Sequence, residues 1–225
     1  MQHLLAIETS EEACSAALLA GSGCTEHFEI APRKHSELIL PMIDRLLADA
    51  GLPRSALDAV AFGRGPGSFT GVRIATAVAQ GIGFGLDIPV VPVSTLQALA
   101  QGIHRRHGAG HVLAALDARM HEVYWGAFSL ADGIMRPAGE EMVIAPAGVP
   151  LPEGAHWTGA GSGWSSYSDI LSERLGTQVE EIAAETECHA QDIAVIAGSL
   201  LASGADYSVF DALPVYLRNQ VTHRP

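Results

Sequence analysis

The chain is poor in positive charge. It has a single lysine, Lys34, among 13 basic residues, against 25 acidic ones, and its formal net charge is −12. Phosphate neutralisation needs clustered Lys and Arg, so a solitary nucleic-acid-binding role is disfavoured. Cysteine is scarce too. Cys14, Cys24 and Cys188 are odd in number, widely spaced and form no C-x-x-C pair. That argues against a disulfide framework or a structural zinc site and fits a reducing compartment. Aromatics make up only 6% of a chain that is 48% hydrophobic, so the core is expected to be aliphatic and alanine-rich. No run of 18 apolar residues exists, so no membrane span is expected. The opening residues lack a basic stretch and reach a carboxylate at Glu8, which argues against a signal peptide. These features point to a cytoplasmic chain of one large domain or two small ones.

Glycine, by contrast, is concentrated. Gly63, Gly65, Gly67 and Gly71, with Pro66, fall within nine residues. A strand-like run from Ala59 to Phe62 precedes them, and a helix-like run from Thr70 follows. A strand–loop–helix turn of this kind aims several backbone N–H groups at one spot, beside the positive end of a helix. Taken alone, the loop Gly63, Gly65, Pro66, Gly67, Ser68, Thr70, Gly71 and Arg73 has the chemistry of a phosphate cradle.

Hydrophobic patterning orders the rest. Strands are expected over Leu4–Ile7, Ala13–Leu19 and Cys24–Ile30, the first two as a hairpin. His35 to Ala50 reads as an amphipathic helix, with Leu38, Met42 and Leu46 on its stripe and Leu40 off it. In the helix after the glycine loop, Gly71, Ala75, Ala79 and Gly83 recur every four residues. Small residues at that spacing let another element approach closely. Such stripes fit either a core or a partner surface. The extra apolar side of the first helix and the small-residue face of the second point to a partner interface of His35, Leu38, Met42, Leu46, Gly71, Ala75, Ala79 and Gly83.

Residues 101–110 are polar and glycine-rich and read as a lobe boundary. The pattern then restarts: strand from Val112 to Leu116, turn from Asp117 to His121, strand from Glu122 to Leu130. Leu5-Ala6-Ile7-Glu8 aligns with Ala114-Ala115-Leu116-Asp117, which suggests a duplication. Further helices are expected over Ser166–Leu175 and His189–Ala202, with strands near Ala155–Gly159 and Val179–Ile182. The division is then a first lobe at 1–103, a second at 104–213, and a tail at 214–225 packing back on the first.

Several stretches together carry a family resemblance. They are Ala6 to Ser10, His35 to Glu37, the loop Gly63 to Arg73, Val93 to Leu96, and Pro214 to Asn219. In these the chain resembles the TsaB (YeaZ) family over nearly its whole length. The resemblance implies the two-lobed actin/hexokinase-like α/β fold (ASKHA), with duplicated mixed-sheet lobes. It implies a part in forming N6-threonylcarbamoyladenosine beside the anticodon of tRNAs that read codons starting with A. It also implies the paralogue TsaD and the small ATPase TsaE as partners, with ATP used by the complex and tRNA met only there. Alone, the chain would close its partner surface as a homodimer, because an isologous contact reuses one patch. Older labels for the family are glycoprotease-like, so a peptidase or an independent ATPase is the alternative.

In this fold the first hairpin turn of each lobe grips phosphate and metal, and usually carries a glycine. Here the first turn has Glu8, Thr9 and Ser10, no glycine, and two further carboxylates at Glu11 and Glu12. The second turn, from Asp117 to His121, is as bulky. Carboxylates beside phosphate repel it, so Glu8, Thr9, Ser10 and Asp117 read as degenerate phosphate turns. The catalytic paralogue carries an H-x-x-x-H metal motif where this chain has Ser94 to Leu99, without a histidine or carboxylate, so no metal site is expected. His104, His107 and His111 read as members of a solvated loop, and Ser68 as a helix cap. The expected product is a non-catalytic subunit, a pseudoenzyme that binds no cofactor alone.

Overall fold

The computed structural model describes residues 3–21, 23–154, 156–183 and 187–218. β1 (His3–Glu8) is buried in all but its first residue and forms the centre of the first sheet. It pairs antiparallel with β2 (Ala13–Ala20), which pairs in turn with β3 (Gly23–Ile30). On its other side it runs parallel to β4 (Ala59–Gly63), and β4 runs parallel to β5 (Val90–Val93), giving the order β3-β2-β1-β4-β5.

The second lobe repeats this plan. β6 (His111–Arg119) is central, and β7 (Glu122–Ala131) and β8 (Ile134–Pro137) follow it antiparallel. β10 (Trp157–Ala160) and β11 (Val179–Ile182) extend the sheet in parallel on the other side. A short β9 (Met142–Ile144) also pairs with β7. Ignoring β9, each sheet has its third, second, first, fourth and fifth strands in that order. The two lobes therefore repeat the mixed-sheet topology of the actin/hexokinase-like fold, with β6 the counterpart of β1. Leu5 and Ile7 lie on the outer face of their sheet, however, and Ala114 and Leu116 on the inner face of theirs, so the expected pairing of Leu5–Glu8 with Ala114–Asp117 is one residue out of step.

Alternation in the central strands sorts residues between layers. Leu5 and Ile7 join the cluster under α1 (His35–Asp49) and α2 (Phe69–Leu86). Leu4 and Ala6 face α5 (Ala190–Ala202) on the opposite side. In the second sheet, Val112, Ala114 and Leu116 face α3 (Thr95–His107), while Leu113 and Ala115 face Trp164 of α4 (Ser162–Leu175). Helices α3 and α5 thus lie between the two sheets. The guanidinium of Arg105 joins these helices, donating Nε and Nη2 to the two Asp192 carboxylate oxygens at 2.9 Å each.

The interlobe segment differs from expectation. Residues 101–107 continue α3 rather than forming a loop, and Gly108, at φ 73°, ends the helix with its N–H on the His104 carbonyl. Gly102 is buried, and a side chain there would meet the Asp192 carboxylate, so this glycine serves close packing rather than a turn. The 103/104 division falls inside α3. Residues 219–225 of the expected tail lie outside the described residues.

Burial corrects the partner-interface expectation for His35, Leu46, Gly71, Ala75, Ala79 and Gly83, while Leu38 and Met42 keep part of their surface exposed. Ala75 and Ala79 are fully buried, Gly71 and Gly83 are buried, and Gly71 approaches the Thr9 backbone while Gly83 packs on Val90. His35 and Leu46 are buried as well, with a ring nitrogen of His35 3.2 Å from the Ala13 carbonyl, and Leu38 and Met42 pack partly buried against the same core. The small residues do permit close approach, but the approaching element is the chain's own sheet. The exposed residues include Leu40 and Pro41 on α1, beside the charged Glu37, Asp44 and Arg45, and Ala77, Gly81, Phe84 and Gly85 on α2.

Candidate functional site

The parallel register of β1 with β4 sets Glu8 beside Gly63, and the β4–α2 loop leaves the sheet there. The first hairpin turn lies directly on that loop. The Ser68 N–H donates to the Ser10 carbonyl at 2.7 Å, and the Thr9 hydroxyl donates to the Gly71 carbonyl at 2.7 Å. A Cβ on Gly67 would meet Ser10, and one on Gly71 would overlap the Thr9 carbonyl. The glycines therefore admit a neighbouring backbone. Ser68 Oγ also accepts the Gly71 N–H at 3.4 Å and caps α2.

Glu8 turns inward. Its carboxylate accepts the Ser10 N–H, while Oε2 is buried without a hydrogen-bond partner. A side chain on Gly63 would occupy the same space as that carboxylate. Burial lifts the Glu8 pKa above the ordinary carboxylate range, against the bonds from Ser10. Ser10 Oγ lies 3.1 Å from Thr95 Oγ1, tying the turn to α3. Next along, Glu11 is pushed up to about 8, first by burial and then by the charges of Glu8 and Glu12, with Arg119 opposing.

Asp117, at the end of the equivalent strand, sits differently. Its Oδ1 accepts the Arg119 N–H at 2.8 Å, and its own N–H donates to Ser162 Oγ, on the first residue of α4, at 3.0 Å. Arg119, Met120 and His121 all have positive φ, at 61°, 55° and 62°. Gly161, at φ 105°, and Gly163 pass against Ala115, so the second lobe too seats a helix start on its central strand.

Between the turns lies a cleft of about 1600 Å³, bordered by Ser10, Glu11, Ser68, Asp117, Arg119 and Ser162. Gly65 and Pro66 are buried at its edge, joined by a cis peptide, whereas Thr70 and Arg73 are exposed on the first turn of α2. The Arg73 guanidinium lies 3.6 Å over the Phe69 ring, and its Nε donates to the Tyr216 hydroxyl at 2.9 Å. Phe69, Tyr216 and Arg218 lie in two of the stretches that carry the family resemblance, but nothing in residue order gave them an individual role or showed that the loop and the tail meet.

The histidines do not converge. His104 Nδ1 is 3.0 Å from the Ala109 carbonyl, His107 is exposed in the last turn of α3, and His111 Nδ1 is 3.0 Å from Ser129 Oγ. Among the described residues no group of three or more His, Cys, Asp or Glu is placed to hold a metal ion. Nor, among them, is any helix long and apolar enough to cross a membrane.

Comparison with known proteins then decides the family. A tRNA threonylcarbamoyladenosine biosynthesis protein TsaB of Escherichia coli K12 is 41% identical over 224 residues, covering 97% of this chain and 96% of its own length. The chain belongs to the TsaB family. The protein of the same name from Haemophilus influenzae is 39% identical and covers 97% of this chain and 94% of its own. The solved structure of YeaZ from Pseudomonas aeruginosa superposes with a TM-score of 0.90 at 48% identity, over 96% of this chain and all of that one. Residues 27–160 also match the family model described as TsaD, tRNA N6-adenosine threonylcarbamoyltransferase. That span runs from β3 to the end of β10, so it includes the glycine loop and the second turn.

Proposed function

We propose that this chain is a non-catalytic scaffold and activator in N6-threonylcarbamoyladenosine formation on tRNA. It acts beside the catalytic paralogue TsaD and the ATPase TsaE, in the cytoplasm, and meets tRNA only through their complex. The observation that carries this reading is the seating of the first hairpin turn in the glycine loop. The Ser68 N–H is taken by the Ser10 carbonyl, and the Gly67 and Gly71 positions are closed by Ser10 and Thr9. Glu8 is turned inward against Gly63 and Glu11 borders the cleft, so side chains stand where a phosphate would need open backbone donors. This favours a chain that binds no nucleotide alone, with ATP used by the assembled complex.

The partner face in this reading is the outer side of α1 and α2. Leu40 is 52% and Phe84 72% exposed, and Gly81 and Gly85 have no atom within 4 Å of an added Cβ. Smooth ground flanked by large apolar side chains suits a second helix pair, either of TsaD or, when alone, of another copy. The test is Gly81→Glu, with purified TsaD capture and the modified-nucleoside content of tRNA as readouts. Loss of both, with an unchanged fold, supports the reading. Full activity of Gly81→Glu, or steady ATP or peptide turnover by the purified chain alone, refutes it.

A further inference from the structure

Residues 212–218 cross from one lobe to the other over the mouth of the cleft. On the first lobe the Ala212 carbonyl accepts from Gln80 Nε2 at 2.7 Å, and the Val215 N–H donates to the Arg64 carbonyl at 2.8 Å. Tyr216 then holds Arg73 through its hydroxyl and lies 5.6 Å from the Phe69 ring. Two residues later Arg218 reaches the second hairpin turn. Its Nη2 donates to the Ala118 carbonyl at 3.1 Å and pairs with the Glu122 carboxylate at 2.6 Å, while Nη1 lies 2.7 Å from Met120 Sδ. The Arg218 side chain is only 15% exposed there.

The turn that Arg218 grips is one a chain adopts reluctantly. Arg119, Met120 and His121 are three successive left-handed residues without a glycine. Such conformations persist where the surroundings over-determine them. A guanidinium is suited to that task, because its planar fork of donors can meet a carbonyl and a carboxylate together. Val215, Tyr216, Leu217 and Arg218 also line the cleft, so the same segment that holds the turn covers the opening.

We propose that residues 212–218 are a strap that clamps the two lobes across the cleft, with Arg218 as its latch on the second lobe. Releasing Arg218 frees the Asp117–His121 turn and lets the cleft mouth widen, while α3 and α5 keep the lobes joined on the far side.

The full-length chain serves for the test. Nitroxide labels are placed on the two walls of the cleft by Ser36→Cys and Ser166→Cys, with Cys24→Ser removing the partly exposed native thiol. Arg218→Ala should lengthen and broaden the distance distribution. It should also speed amide exchange over residues 117–122 by about tenfold, with α1 and β2 unchanged. An unchanged distribution, or exchange accelerated uniformly through the chain, overturns the strap. If Arg218→Ala does not fold, Glu122→Gln decides alone. It removes the ion pair and keeps the carbonyl contact, so it must still accelerate exchange over 117–122, and failure to do so overturns the proposal.

Discussion

Ser68 donates its backbone N–H to the carbonyl of Ser10, 2.7 Å away, across 58 positions of sequence. One bond thus uses the N–H of the α2 cap residue, at the end of the glycine loop, to hold the neighbouring hairpin turn. The consequence is that the loop's glycines are under packing constraint, whether or not any ligand approaches.

The constraint separates glycines within one helix. Gly71→Ala would press a Cβ into the Thr9 carbonyl, which is backbone and has no rotamer to escape to. We expect a loss of about 3 kcal/mol, at the upper end for overpacking. Gly81→Ala, in the same helix but with open space around it, should gain about 0.5–1 kcal/mol from helix propensity alone. Urea unfolding of the two variants beside the parent checks both, and equal midpoints would remove the packing account of the loop.

Glu11 makes stability depend on pH in a stated direction. Its pKa rises from 4.5 to about 8 on folding. Between those values the folded chain holds a proton that the unfolded chain has released. Stability from this group is therefore present at low pH and falls as pH rises through about 8. Glu8 is shifted the same way, so both carboxyls act together. Glu11→Gln removes one of them. It should match the parent near pH 5 and melt higher than the parent at pH 8.5. A melting difference that is constant across this range would contradict the assigned shift.

Much of this architecture was readable in residue order, and the misses share a cause. The β1–β2 hairpin, the restart at β6 and the glycine turn each have local signatures: alternation, a carboxylate at the turn, clustered glycine. Helical spacing found the faces of α1 and α2 but named the wrong occupant. Ala75 and Ala79 recur every four residues whether a partner or the chain's own sheet covers them, and here it is the sheet. The run from Gln101 to His107 reads as loop because it is polar and holds Gly102. Its helical state comes from contacts far away in sequence, with Asp192 and with β8. The seating of Ser10 on Ser68 has no local signal at all, since neither residue's neighbours encode the other.

Strand β8 was invisible for the same reason, and its partners yield a further prediction. It is an edge strand, and its Met135 is fully buried. A buried edge leaves backbone groups that need partners. Two side chains one turn apart on α3 supply them: Gln101 Oε1 accepts the Met135 N–H at 2.8 Å, and Gln97 Nε2 donates to the Met135 carbonyl at 2.8 Å. Gln101 also donates to the Gly133 carbonyl at 3.2 Å. The pair stands in for a neighbouring strand, which explains polar side chains on the inner face of a helix. Gln101→Leu would leave a buried N–H unpaired and should cost about 2 kcal/mol. Gln97→Leu strands only a carbonyl, a group that tolerates under-satisfaction better, and should cost about half as much. Amide exchange at Met135 offers the direct reading: it should quicken in Gln101→Leu and stay near the parental rate in Gln97→Leu. The reverse order would mean that β8 is held by packing and not by these two side chains.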